Sequence, residues 1–139
     1  MKKMNNKGFS LVELIIVIAI MAVLVGILAP QYLKYVNNSK VSTDIANAEQ
    51  IATTINVAVS DSDTANLSIA AGTASLAGGA TLYSDGSRTV VAPKCALDDT
   101  AAWSVTWDDV NGVTAITLQG CAIWPDASVT GGYYDTFHK

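Results

Sequence analysis

Glu13 is the residue of this sequence that most demands a chemical role. It is an acid with Phe9, Leu11 and Val12 before it and an apolar run from Leu14 to Ala29 after it. A carboxylate at membrane depth costs about 2.5–3.5 kcal/mol or more unless it reaches the interface or finds a partner. Two readings stand: Glu13 marks the interfacial end of a helix, or it waits for a cation. Gly26 and Pro30 form a second pair. Proline removes one helical hydrogen bond and clashes with the turn behind it, here at the Gly26 carbonyl, and glycine is a poor helix residue. The pair gives either a simple kink or a segment able to unwind. Other chemistry is thin. The single histidine, His138, sits beside the C-terminus, so a serine triad built on it is disfavoured. No Cys-x-x-Cys, His-x-x-x-His or phosphate-binding glycine loop occurs. The acidic turn Asp108–Gly112 invites a calcium reading, with Asp126 and Asp135 as helpers. With Gly112 sixth in an EF-hand loop, Trp107 would be first and Leu118 twelfth, and both fail. No metal, cofactor or catalytic set is expected, and the chain does not read as an enzyme.

The elements that position these residues follow from composition. Of 139 residues, 50% are hydrophobic and only 14% charged, with a formal charge of −4. That hydrophobicity excludes disorder, and the acidic balance excludes a domain built to bind nucleic acid on a basic surface. The 20 residues Leu14–Leu33 carry no charge, enough helix for about 30 Å, the thickness of a bilayer's hydrocarbon core. It is the one segment long enough to span. Lys2, Lys3 and Lys7 precede it, which places the N-terminus inside and the rest of the chain outside. No A-x-A cleavage site follows the run, so an ordinary secretory signal does not fit.

Val41, Ile45, Ala48, Ala52, Ile55 and Val59 recur at helical spacing, with Lys40, Asp44, Asn47 and Thr54 off the stripe. The pattern predicts one helix from about Phe9 to Val59, bent near Pro30, ended by Ser60–Thr64. Residues 66–80 read as a loop with a short strand at Leu67–Ala70. Thr81–Tyr83 and Arg88–Ala92 flank a hairpin turn; Trp103–Trp107, Val113–Leu118 and Cys121–Trp124 are further strands. The fold class is α+β: a long bent helix on an antiparallel sheet of about four strands, with Trp103, Trp107 and Trp124 as anchors. Cys95 and Cys121 both lie in the outside domain. Their even count suggests a disulfide, worth about 3 kcal/mol by loop entropy, with two free buried thiols as the alternative.

The run Lys7-Gly8-Phe9-Ser10-Leu11-Val12-Glu13-Leu14 resembles the prepilin processing signal of type IV pilins and pseudopilins. The likeness is strong over about residues 1–60. It implies a type IV pilin fold and a membrane prepilin peptidase that cuts after Gly8. The leader 1–8 is then lost, and Phe9 becomes the N-terminus and is N-methylated. Three lysines leave with the leader, so five basic and twelve acidic side chains remain, a net of −7. The new Phe9 amine supplies the cation for Glu13, within one helix or, as the resemblance implies, between neighbouring subunits. It also implies a partly extended backbone around Gly26 and Pro30 in the filament.

The implied domains are the leader 1–8, the membrane and filament-core half of the helix at 9–33, and a globular domain at 34–139. The implied function is a subunit polymerising into a type IV pilus for adhesion, twitching or DNA uptake. Its partners are copies of itself, the peptidase, an assembly platform and motor, and the cytoplasmic membrane before export to the cell surface; no specific nucleic acid is expected. A pseudopilin of a type II secretion or competence machine is the alternative, and a membrane-anchored binding domain a remoter one.

Overall fold

A computed structural model describes residues 8–137; most of the leader, with Lys2, Lys3 and Lys7, and His138 lie outside the described residues. The element order is α1 (Leu11–Ser60), a 3-10 turn (Thr64–Asn66), β1 (Gly72–Ala77), β2 (Thr81–Ser84), β3 (Thr89–Val91), β4 (Ala102–Asp108), β5 (Gly112–Leu118), β6 (Cys121–Trp124) and α2 (Tyr133–Phe137). The chain divides into two compact units between Tyr35 and Val36.

In the first unit, α1 is apolar all round, as a helix buried in lipid or among other helices must be. Helical backbone continues through Pro30. An 18-residue window reaches a mean hydropathy of 3.1, and none of it is buried within the chain.

In the second unit, the later part of α1 covers the sheet. Val41, Ala48, Ile51, Ala52 and Ile55 enter one core with Leu76, Trp103, Val105, Ile116, Leu118 and Ile123. This is the amphipathic stripe, joined by Ile51 and Ala58, with Ile45 and Val59 at its margin. Asp44 departs from the expectation. Read as off the stripe, it is fully buried. The helix ends where the turn residues begin: Ser62 adopts a left-handed φ of 54°, and Asp63 N–H bonds the Ala58 carbonyl at 2.8 Å.

The main sheet is antiparallel, in the order β1-β4-β5-β6, and β2 and β3 form a separate hairpin. Period-two alternation on β4 sends Trp103, Val105 and Trp107 inward. The Trp103 indole donates to the Pro93 carbonyl at 2.8 Å. The fourth strand is not where the sequence put it. Leu67 makes one bridge to Tyr83, while the strand proper is Gly72–Ala77, in register with Trp107–Ala102. Its small residues hide the signal, since only Leu76 is large enough to fill the core.

The turn between β4 and β5 is set by Asp108, whose carboxylate takes the Val110 and Asn111 N–H groups at 2.8 and 2.6 Å. Gly112 follows at φ 74°, where a Cβ would overlap the Asn56 amide oxygen. That oxygen accepts the Val113 N–H at 2.8 Å, fastening the hairpin to α1.

Candidate functional site

Gly8, Phe9 and Ser10 precede the first helical residue, Leu11. The peptide between Gly8 and Phe9 therefore lies in non-helical backbone, the form a protease cleft accepts. Phe9 is 86% exposed, and nothing lies within 4 Å of where a Gly8 Cβ would be.

The helix start is built by Ser10 and Glu13. The Glu13 carboxylate accepts the Ser10 N–H at 2.9 Å, and the Ser10 hydroxyl accepts the Val12 N–H at 3.3 Å. This is close to the reciprocal capping box of Ser-x-x-Glu, which satisfies donors that a helix terminus would leave unpaired. The Ser-x-x-Glu spacing is legible in the sequence, so the capping role of Glu13 has a local signal as well as its charge. The carboxylate is thus held one residue from the Phe9 nitrogen in the chain. Hydrolysis of the Gly8–Phe9 amide would turn that nitrogen into an ammonium.

The flank of the helix is bare. Every residue from Leu11 to Lys34 is exposed, including Ile16, Met21, Leu24 and Leu28. The space around Gly26 is also open, so nothing among the described residues requires a glycine there.

A second cluster lies in the globular unit. The buried Asp44 carboxylate accepts the Tyr133 hydroxyl at 2.7 Å, the Leu97 N–H at 3.2 Å, the Cys95 thiol at 3.3 Å and the Ala96 N–H. A buried carboxylate without a cation is tolerable only with such donors. Burial, and then the bond to Asp44, raise the Tyr133 hydroxyl far above the usual tyrosine range. Burial is likewise the first cause that raises the Cys95 thiol.

Cys95 and Cys121 are both free thiols in this structure. Cys95 is turned inward to Asp44, while Cys121 donates to the Thr136 hydroxyl at 3.7 Å. The acidic turns are also spoken for: Asp126 holds the Ser128 N–H, and Asp135 the Gly131 N–H. Among the described residues no group of three or more His, Cys, Asp or Glu side chains is placed to hold a metal ion.

Residues 3–29 match the model of the prokaryotic N-terminal methylation motif. Two relatives, each described as type IV major fimbrial protein FimA of Dichelobacter nodosus, are 42% and 41% identical over 59 residues. The chain is thus similar, over part of its length, to type IV fimbrial proteins. The match covers 42% of this chain, and the chain spans only 38% of each relative's length. No solved structure gives a significant match.

Proposed function

We propose that this chain is a prepilin, cut between Gly8 and Phe9, whose product polymerises through its N-terminal helix into a type IV pilus. The observation that carries this reading is the combination of the methylation motif with a helix whose apolar surface nothing among the described residues covers. A helix of that kind needs lipid before assembly and other helices after it.

The steps follow from the residues. Lys2, Lys3 and Lys7 hold the leader at the cytoplasmic face, and Leu14–Leu33 spans the membrane. A prepilin peptidase hydrolyses the Gly8–Phe9 amide, and the freed Phe9 amine is N-methylated. In a low-dielectric filament core an unpaired charge is costly, so the Phe9 ammonium of one subunit pairs with Glu13 of its neighbour and fixes the register. An assembly platform and motor lift the subunit from the membrane. Gly26 and Pro30 supply the flexible stretch of the packed helix. The acidic globular domain faces outward, where it serves adhesion, twitching or DNA uptake.

The test is Glu13→Ala in the producing cell. The variant is expected to be processed at Gly8 as usual while few filaments form. Filaments at normal yield would overturn the assembly role of Glu13.

A further inference from the structure

The turn between β4 and β5 holds a labile chemical step beneath a carboxylate. Asn111 is exposed and is followed by Gly112. Glycine has no side chain to shield its backbone nitrogen, so an Asn-Gly step is unusually open to deamidation. The Gly112 nitrogen attacks the Asn111 Cγ and a C–N bond forms. The Gly112 N–H proton passes to the side-chain nitrogen, which leaves as ammonia. Water then opens the succinimide ring to aspartate or isoaspartate. Water is the sole co-reactant, and the turn gains a negative charge.

The fold restrains both partners of that step. Asn111 Nδ2 donates to the two Asp108 carboxylate oxygens, at 3.2 and 3.0 Å. Donation to a carboxylate pushes electron density into the amide. Its carbon becomes a poorer electrophile and its nitrogen a poorer leaving group. Such charge-assisted bonds also fix the orientation of the side chain. The Asn111 side chain is in turn the first cause that holds the Asp108 carboxyl below the ordinary aspartate range, which keeps the acceptor ionised. The nucleophile is confined as well. Gly112 is buried and stands opposite Asp108 in the ladder between β4 and β5.

We propose that Asn111 is a latent deamidation site and that Asp108 is the residue that keeps it unreacted. The location makes the restraint consequential. Isoaspartate lengthens the backbone by a methylene group just before Gly112. The next residue, Val113, donates its N–H to the Asn56 side chain at 2.8 Å, and a Cβ on Gly112 would already overlap that side chain. A backbone shifted at this point loses the fit, so modification unfastens the hairpin from α1. The inference concerns the globular unit and does not depend on the pilus reading.

The experiment incubates the full chain, in micelles of a non-ionic polyoxyethylene detergent, in warm and mildly alkaline buffer. Peptide mapping by mass spectrometry follows Asn111. It reads the mass shift of NH2 replaced by OH and the separately eluting isoaspartyl isomer. A synthetic peptide of residues 108–114 gives the reference rate without the fold. Asn111 in the native protein is expected to react more slowly than in the peptide. Asp108→Asn keeps one acceptor oxygen for the turn but removes the charge and the second acceptor. It is expected to speed the reaction about tenfold, the factor of one charge-assisted hydrogen bond. Asn56→Ala loosens the hairpin from α1 and leaves Asp108 in place, so its rate is expected to stay near the native one. A native rate equal to the peptide's, an unchanged rate in Asp108→Asn, or an Asn56→Ala rate as fast as that of Asp108→Asn would overturn the proposal.

Discussion

Tyr133 donates its hydroxyl to the Asp44 carboxylate at 2.7 Å across 89 residues of sequence. The bond ties α2, at the end of the globular unit, to α1. Because Asp44 is fully buried, each donor it loses leaves an acceptor that water cannot reach. Tyr133→Phe is expected to cost about 1–3 kcal/mol in urea unfolding of the full chain in micelles. The same contact gives an alkaline signature. The folded Tyr133 titrates above its unfolded value, so its contribution is complete below about pH 10 and is lost as the unfolded tyrosine ionises above it. Tyr133→Phe should flatten that alkaline decline.

Four acidic turns set the behaviour at low pH. Asp85, Asp98, Asp108 and Asp126 each accept hydrogen bonds from groups two or three residues on, and each titrates below the ordinary aspartate value. For Asp85 the leading cause is the Arg88 N–H; for the others it is the side chain of Thr100, Asn111 or Ser128. The unfolded chain takes up these protons first, near pH ~3.9. Stability from these turns is therefore complete above that value and falls as pH drops through the lower folded values. Unfolding midpoints measured from pH 6 to pH 2 should be flat and then decline, and Asp108→Asn should reduce the decline.

The two thiols should differ in reactivity. Cys95 is 2% exposed, with its thiol raised first by burial, so little of it is thiolate. Cys121 is half-buried. Iodoacetamide at neutral pH is expected to modify Cys121 first in the native protein, and both thiols after denaturation. Intact mass against time checks this, and a chain that resists alkylation even when unfolded without reductant would contradict it.

Gly112 combines two constraints. It needs a positive φ and stands where a Cβ would strike the Asn56 side chain. Gly112→Ala should cost about 1–3 kcal/mol in the same unfolding experiment. Gly120, also at positive φ but with open space around it, should lose less when changed to alanine.

The legibility of these features in the sequence follows their physics. Glu13 stands out because its surroundings are apolar, and the strands of Trp103–Trp107 and Val113–Leu118 stand out because large side chains alternate. Asp44 lies off the apolar stripe, and its partners at Cys95–Leu97 and Tyr133 are remote, so no local pattern announces its burial. The strand Gly72–Ala77 was read as loop because Gly, Thr, Ala and Ser say little about strand by themselves. Its pairing with the tryptophan strand supplies the order. Helix propensity and hydrophobic period are local quantities, whereas burial of a polar group is decided by what arrives from elsewhere.

The central claim is that the chain is cut at Gly8 and that the product builds a fibre. N-terminal sequencing and mass analysis of this protein in sheared surface filaments test it most directly. The filament subunit is expected to begin at Phe9 with a methylated amine. A subunit that retains Met1, or filaments that lack this chain, would contradict it.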